Sequence, residues 1–408
     1  MSRVLLLLPT GTYRATDFLR AASSLHAEVV VASEHRQAMA STMAGRALVV
    51  PLDRPERAAQ AIVDFARRFP IDAVVAVDEQ GVLAAALAGE ALGLAHNPPA
   101  AVAAARDKAV MRAALATAGV SQPDFRVAGP DDDLARLAVE VGLPCVVKPV
   151  SLSGSRGVIR ADDPVGALAA GRRVRRILSQ AGEDVDALLL VEAFAPGAEV
   201  AVEGLLQGGR LAVLATFDKP DPLNGPFFEE TLYVTPSRLP PEAEAAVAGL
   251  VSAGAAALGL REGPVHAEVR VAGTTLRLLE LAARSIGGLC SRALRFGAGI
   301  SLEELILRHA LGLDLEDLAR ETTAAGVMMI PIPRSGELVE VRGLDAARSV
   351  PGVEGVEITM TRGRQVRALP EGDRYLGFMF ARAPTPDAVE EALRRAHGHL
   401  DVVIDPPR

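Results

Sequence analysis

The chain is poor in cysteine and in aromatic residues. Its 408 residues include two cysteines, three tyrosines and no tryptophan. Two cysteines make neither a disulfide framework nor a cysteine-rich zinc site, so both are expected to be plain core thiols. The scarcity of tyrosine and tryptophan argues against a large aromatic cage around a ligand. The net charge of −8 at pH 7 excludes the overall basic character of a general nucleic-acid binder, but not a local basic site.

Long apolar runs are missing as well. The run at residues 4–8 ends at Pro9 and is too short for the apolar core of a signal peptide. No run approaches the roughly 18–20 apolar residues of a membrane span. We therefore expect a cytoplasmic protein that has neither a membrane nor a nucleic acid as partner. Half of the residues are hydrophobic, which excludes disorder over most of the chain and suffices for the two to four domains expected at about 100–200 residues each.

Lysine is the scarcest charged residue. Of the 43 basic residues 40 are arginine, and the three lysines are Lys108, Lys148 and Lys219. Biased codon usage explains an arginine-rich chain. A compact ammonium, however, fits a tight phosphate site in a way that a wide guanidinium does not. The three lysines that remain are therefore candidate functional residues.

Strands and helices alternate in the first 97 residues, which predicts a parallel α/β sheet. The turn Thr10-Gly11-Thr12 after the first strand lacks GxGxxG and is interpreted as an ordinary strand–helix turn. Asp78-Glu79 ends a later strand, at the edge where such sheets bind ligands. After a helix predicted over 99–119, short strands and helices follow in α+β order, and the segment 311–408 is predicted to be a third unit.

A strand that ends in lysine precedes a flexible loop. Lys148 is followed by a Gly/Ser-rich segment that runs from Ser151 to Gly157. Such a loop between two strands presents backbone N–H groups and hydroxyls to phosphates. A simple hairpin loop is the alternative. The combination of a strand lysine and a Gly/Ser loop directly after it is a more specific signal than either feature alone. Upstream, Lys108 and Arg112 are spaced as on a solvated helix face.

Downstream of this loop, an apolar strand ends at Glu192 and a Pro-Gly turn leads to Glu199. A crossover of this kind offers backbone groups to an adenine edge and a carboxylate to ribose hydroxyls.

Two strands around Gly273-Thr274 carry the strongest signal, a predicted hairpin. A register centred on Thr274 places Glu268 directly opposite Glu280. Facing like charges are destabilising, so a cation is expected between them, and all-oxygen ligands suit Mg²⁺. Alternation along the strand turns Arg284 to the same face as Glu280. An exposed hairpin with ordinary charges does not explain why these charges interrupt otherwise apolar strands.

In this order, the motifs resemble those of the ATP-grasp superfamily. The resemblance covers the whole chain and implies a Rossmann-like domain over 1–97, a split ATP-binding domain over 98–310 with a lid at about 125–200, and a carboxy-terminal α+β domain over 311–408. Within the superfamily, the chain is most similar to the L-amino acid ligases. The segments that carry this second likeness are Phe217-Asp218-Lys219-Pro220, Pro226-Phe227-Phe228-Glu229-Glu230, Pro236-Ser237 and residues 375–381.

The resemblance implies a nucleotide site in which lysines and the loop contact phosphates, and Glu192 and its neighbours hold adenine and ribose. The residues implied to bind ATP are Lys108, Lys148, Ser153, Gly154, Ser155, Gly157, Glu192, Ala193, Ala195 and Glu199. Mg²⁺, or Mn²⁺ in its place, would be bound by Glu268 and Glu280. Most ATP-grasp enzymes have an asparagine where Ala282 stands, so the number of metal ions is left open.

The resemblance also implies a substrate site. Arg284 would bind the substrate carboxylate and an acyl phosphate, and Lys219 would contact the γ-phosphate. Glu229 or Glu230 would meet the amino group of the first substrate, and the turn at Gly287 and Gly288 would lie near the acceptor. The side chains of the two substrates are not specified by the sequence.

A carboxylate–amine ligase follows from these roles, one that joins an amino acid or a similar carboxylate to an amine and releases ADP and phosphate. Its partners would be two small molecules, and the resemblance implies a homodimer. Two alternatives stay open. One is an ATP-grasp carboxylase or a purine-biosynthesis-type ligase with a different acceptor, and the other is a nucleotide-binding protein without catalysis.

Overall fold

The structure is a computed structural model that describes residues 2–35, 46–297, 299–315 and 318–406. The amino-terminal region forms a parallel sheet with helices on both faces. Its elements are β1 (Arg3–Leu7), α1 (Ala15–Ser24), β2 (Glu28–Ser33), β3 (Ala47–Val49), α2 (Pro55–Ala66), β4 (Ala73–Ala76) and α3 (Val82–Leu92). The strand order is β3-β2-β1-β4 and every pairing is parallel, which confirms the predicted parallel sheet.

The apolar runs of this sheet are continuous because both faces are covered. Leu5 and Leu7 of β1 belong to the core shared with α2 and α3. Val4 and Leu6 point to the other face and join a core that includes Phe18 of α1.

Two helices come next. A small antiparallel sheet with two further helices follows them, and we call this part, residues 125–193, the lid. The elements are α4 (Pro99–Arg106), α5 (Lys108–Thr117), β5 (Phe125–Ala128), α6 (Leu134–Val141), β6 (Cys145–Pro149), β7 (Ile159–Ala161), α7 (Pro164–Ala181) and β8 (Leu189–Ala193). The order of the lid strands is β5-β8-β6-β7. The sequence predicts a single helix over 99–119, but this helix is divided at Asp107. The backbone of Asp107 is extended, and its side chain caps α5 by accepting from the N–H groups of Ala109 and Val110.

The central region contributes long antiparallel strands. Its elements are β9 (Ala198–Gln207), β10 (Arg210–Lys219), β11 (Leu232–Thr235), α8 (Pro241–Leu258), β12 (Gly263–Ala272), β13 (Thr275–Ala282) and α9 (Leu302–Ala310). The buried residues of α8 pack on the apolar face of β9, β12 and β13, and Val247 and Val251 are among them.

The last region contains β14 (Ala324–Ile330), β15 (Gly336–Arg342), α10 (Leu344–Arg348), β16 (Val353–Ile358), β17 (Gln365–Val366), β18 (Gly377–Ala383), α11 (Pro386–Gly398) and β19 (Asp401–Asp405). β17, β15 and β19 form a small sheet, whereas β14, β18 and β16 extend the central one. The central sheet has the order β13-β12-β9-β10-β11-β14-β18-β16. It therefore crosses the domain boundary predicted between 310 and 311, and the division into three domains stays a prediction.

None of the helices in the described ranges has the length and apolar character that would be needed to cross a membrane.

Candidate active site

A cavity of about 610 Å³ lies where the amino-terminal region, the lid and the central sheet meet. Most residues predicted to form the site line it. These are Lys108, Lys148, Ser153, Gly154, Ser155, Glu192, Ala193, Ala195, Glu199, Glu230, Glu268, Glu280, Arg284, Gly287 and Gly288. The predicted residues outside this lining are Gly157, Lys219 and Glu229. Of the two candidates for the amino-group contact, the structure thus places Glu230 at the cavity.

Glu268 and Glu280 are opposite each other across the β12–β13 hairpin, as predicted. The register assumed for them was wrong at the turn, where Ala272 pairs with Thr275 around a two-residue connection. Continued without interruption, that register would place Leu279 opposite Glu268. A bulge between Glu268 and Val269 shifts the pairing by one residue and brings Glu280 into place.

Lysine side chains compensate this carboxylate pair. Lys219 Nζ lies 2.9 Å from Glu268, and it also contacts Glu199 at 2.7 Å and Glu230 at 2.8 Å. Lys108 Nζ is 3.5 Å from Glu280. The opposition of the two carboxylates predicts a metal cation between them, and that stays a prediction; each carboxylate also has a lysine ammonium group as a neighbour.

Lys219 and Glu199 are buried, and the side chains of Glu230 and Glu268 are 16% and 18% exposed. Burial alone would lower the pKa of Lys219, but the three carboxylates raise it well above its ordinary value. Burial and the neighbouring Glu268 raise the pKa of Glu230 to about 7. Burial also acts to raise the pKa of Glu268, but Lys219 and His266 hold it well below its ordinary value. The ammonium group has three N–H donors and three carboxylate partners, so all of its donors are used within the protein.

Metal-binding chemistry is available at the same point. Oxygens of Glu199, Glu230 and Glu268 lie within 4.8 Å of one another, and Glu280 faces Glu268 across the hairpin. A donor set made of carboxylate oxygens alone fits Mg²⁺ or Mn²⁺.

Lys148 and Arg112 hold Glu192 from two sides. Lys148 Nζ is 2.7 Å from one carboxylate oxygen, and Arg112 Nε is 2.5 Å from the other. Burial would raise the pKa of Glu192, but Arg112 and Lys148 lower it to about 2. Arg112 also donates to the carbonyls of Leu278 and Leu279 and so connects the lid strand β8 with β13.

The solvated helix face expected for Lys108 and Arg112 is therefore wrong. Arg112 has no exposed surface and Lys108 is 7% exposed. The cap at Asp107 turns both side chains into the protein, because it starts a new helix whose first residue is Lys108. Lys108 Nζ then donates to the carbonyl of Leu152, 2.8 Å away, at the start of the Gly/Ser loop.

Arg284 reaches the cavity beside a carboxylate from the amino-terminal region. Its Nε donates to Glu79 at 2.9 Å, and its Nη1 donates to the carbonyl of Ser285. Arg106 contacts the other oxygen of Glu79 at 3.2 Å. Glu79 follows β4, and the pattern of Asp78-Glu79 after a strand predicts its place at this edge of the sheet.

The turn after Arg284 is fixed by Arg14, which sequence reasoning missed. This buried side chain donates to Ser285 Oγ at 2.8 Å, to the carbonyl of Ile286 at 3.2 Å and to Glu303 at 2.9 Å. Glu203 accepts from the N–H of Ile286. The contact between Arg14 and Ser285 spans 271 positions of sequence, and no local pattern signals such a pair.

The Gly/Ser loop has an irregular backbone. Gly154, Ser155 and Gly157 have φ values of 65°, 55° and 73°, in the left-handed region that glycine adopts without strain. Ala193 and Ala195 line the cavity on the facing side, and the N–H of Ala193 is already bonded to the carbonyl of Asp124.

Family models match three successive parts of the chain. A model described as an ATP-grasp N-terminal domain matches residues 19–96, an ATP-grasp domain model matches 141–293, and a model of the L-amino acid ligase C-terminal domain 2 matches 328–405. These segments follow the order of the three predicted domains.

Two individual proteins are similar to the chain over more than half of its length. The chain is 26% identical over 312 residues to an uncharacterized protein, y4rH, of Sinorhizobium fredii, covering 74% of this chain and 61% of that protein. It is 29% identical over 274 residues to the alanine–anticapsin ligase of Bacillus subtilis, covering 62% of this chain and 57% of that ligase. The chain thus spans about three fifths of the length of these two relatives.

A solved structure matches over nearly the full length. The crystal structure of an L-amino acid ligase from Bacillus licheniformis superposes with a TM-score of 0.81 at 26% identity, covering 99% of both chains. The similarity therefore includes the amino-terminal sheet, the lid and the carboxy-terminal region together.

Proposed function

Because this chain belongs to the ATP-grasp superfamily and has L-amino acid ligases among its relatives, we propose that it is an ATP-dependent carboxylate–amine ligase. One observation carries the proposal. Lys148, the facing carboxylates Glu268 and Glu280, and Arg284 all line a single cavity between the lid and the central sheet. That cavity combines groups for phosphates, for a divalent cation and for a substrate carboxylate.

In the proposed nucleotide site, Lys108 and Lys148 contact the phosphates and the loop from Ser153 to Gly157 covers them. Glu192 and the backbone at Ala193 and Ala195 hold adenine, and Glu199 holds ribose. Bound Mg²⁺, with Glu268 and Glu280 as ligands, supplies neutralisation of the charge on the transferred phosphoryl group.

The proposed reaction has two steps. A carboxylate is a poor electrophile, so a substrate carboxylate oxygen first attacks the γ-phosphorus of ATP, and ADP leaves. The amine nitrogen then attacks the carbonyl carbon of the acyl phosphate, the C–O bond breaks, and phosphate leaves with the bridging oxygen. The amine loses a proton as the C–N bond forms.

Arg284 is proposed to hold the substrate carboxylate and to stabilise the negative charge that develops on it. Its Nε is bonded to Glu79 and its Nη1 to Ser285. Within the described ranges Nη2 has no protein hydrogen-bond partner, so this edge of the guanidinium is free to donate to a substrate. Glu230 is proposed to meet the amino group of the first substrate.

Lys219 is better explained as a partner of carboxylates than as a γ-phosphate contact. Its three N–H donors are used by Glu199, Glu230 and Glu268. A phosphate contact would require one of these buried bonds to break. We therefore propose that Lys219 keeps the three carboxylates together beside the metal site.

The ligase proposal is tested by measuring ADP release with ATP and Mg²⁺ against all pairs of the proteinogenic amino acids. We expect release that requires two amino acids, together with a product whose mass is their sum minus water. Controls contain bicarbonate in place of amino acids, or no substrate. Release that depends on bicarbonate alone would indicate a carboxylase, and ATP binding without release under any condition would indicate a non-catalytic protein.

A further inference from the structure

The segment between β17 and β18 reaches across to the lid. The carbonyl of Pro370 accepts from the N–H of Gly157 at 2.9 Å, and the carbonyl of Glu371 accepts from Arg156 Nε at 3.1 Å. The carboxylate of Glu371 accepts two bonds from Arg173 of α7, at 2.7 and 3.0 Å. We call these contacts the clasp. They join the carboxy-terminal region to the lid at both its loop and its helix.

The Arg173–Glu371 pair has the geometry of a strong ion pair. Both carboxylate oxygens are engaged by one guanidinium, which fixes orientation as well as distance. The guanidinium of Arg173 also lies 4.8 Å from the centre of the Phe227 ring. Because only about a third of each side chain is exposed, solvent screens the pair less than it screens a fully exposed one.

The clasp acts on the loop that is proposed to cover the nucleotide phosphates. Gly157 ends that loop with a left-handed φ of 73°. A Cβ there would lie 3.2 Å from the ring of Pro149, so Pro149 limits the loop on one side while Pro370 binds its N–H. The end of the loop is thus held by a part of the chain more than 200 residues away.

The same segment continues into the cavity. Asp373, Arg374 and Tyr375 line it, only two to four residues after Glu371. One short stretch therefore contacts both the lid and the space in which the proposed substrates meet.

From these contacts we propose that Glu371 is a positioning residue. Through Arg173 it holds the lid, with its Gly/Ser loop, in place against the carboxy-terminal region. In the proposed ligase, a loop held in this way keeps ATP in line and keeps water from the acyl phosphate. The kinetic part of this inference rests on the proposed function, whereas the clasp itself does not.

The test compares Glu371→Gln and Arg173→Gln with the charge exchange Arg173→Glu/Glu371→Arg. Arg126→Gln is the matched control, because Arg126 pairs with Glu140 within the lid at 3.2 Å. Two quantities are measured: hydrogen exchange of residues 153–160 in the protein without nucleotide, and ADP released per molecule of amide product. The exchange experiment needs no activity.

Each single variant is expected to speed exchange in residues 153–160 by about three- to fivefold, as for loss of one ion pair. The fold-increase in KM for ATP and in the ratio of ADP to amide product should exceed the fold-decrease in kcat. The charge exchange is expected to restore the wild-type values, and Arg126→Gln to leave them unchanged. A purely structural role would not move the ratio of ADP to product.

Unchanged exchange in both single variants would overturn the proposal, as would a charge exchange that fails to restore slow exchange while the protein stays folded. A wild-type protein that releases no ADP with any substrate pair would contradict the ligase function instead. The exchange experiment would then still test whether the Arg173–Glu371 pair holds the loop.

Discussion

Replacing Glu280 with glutamine is expected to lower kcat by about 10²–10³-fold, the scale of losing one group that stabilises transition-state charge. Glu280 is one of the two facing carboxylates proposed to bind Mg²⁺, and an amide is a much weaker ligand. The fold should survive, because the side chain of Glu280 is 28% exposed and its ion pair, with Lys108, is 3.5 Å long. Steady-state ADP release and urea unfolding measure the two effects.

Glu140→Gln is the matched control for this variant. Glu140 is a partly exposed carboxylate on α6 of the lid, where it pairs with Arg126 and Arg136, and it is not among the residues that line the cavity. Its replacement should leave kcat within about twofold of wild type, as for a surface ion pair. Normal turnover by Glu280→Gln would contradict the metal assignment at the hairpin.

Replacing Lys219 with methionine is expected to destabilise the protein by about 3–5 kcal/mol, the cost of removing one partner from a buried ion pair. Methionine keeps much of the side-chain length but leaves Glu199, Glu230 and Glu268 without their shared cation. Their oxygens lie within 4.8 Å of one another, so the remaining charges repel in a poorly solvated place. Urea unfolding at neutral pH measures the loss.

A second substitution separates the two roles considered for Lys219. Burial and Glu268 raise the pKa of Glu230 to about 7, so a neutral glutamine is tolerated at this position, and once Lys219 is gone it also removes repulsion between Glu230 and Glu268. Lys219→Met/Glu230→Gln should therefore recover part of the lost stability. A Lys219→Met protein with unchanged stability and a raised KM for ATP would instead support the γ-phosphate contact.

Local patterns predicted much of the site. Alternating strands and helices indicated the parallel sheet, and the turn at Gly273-Thr274 indicated the hairpin that brings Glu268 opposite Glu280. A lysine before a Gly/Ser loop identified the loop at the cavity. Signals of this kind lie within a few residues of one another, so the sequence alone carries them.

Other features depend on contacts between distant parts of the chain. The bulge that aligns Glu280 with Glu268 compensates a two-residue turn, and no residue type in the hairpin demands it. The contact of Arg284 with Glu79 joins residues 205 positions apart. Arg112 resembles a surface arginine in sequence, and only the packing of α5 against the lid and β13 buries it.

The pairing of β11 with β14 could not be predicted from the sequence either. Leu232 pairs with Met328 and Thr235 with Ala325, so the central sheet runs on into the carboxy-terminal region. Strand pairing between distant segments leaves no periodic trace in either of them, so the strands and the last helix predicted within 311–408 indicated a separate third unit.

In the proposed reaction, a substrate carboxylate is activated by transfer of the γ-phosphoryl group of ATP. The most direct measurement uses a carboxylate substrate labelled with ¹⁸O in both oxygens, in the pair of amino acids that supports ADP release. The phosphate that is released should carry one ¹⁸O atom per molecule of amide product, because the bridging oxygen of the acyl phosphate leaves with phosphorus. Unlabelled phosphate formed together with the amide would exclude an acyl phosphate.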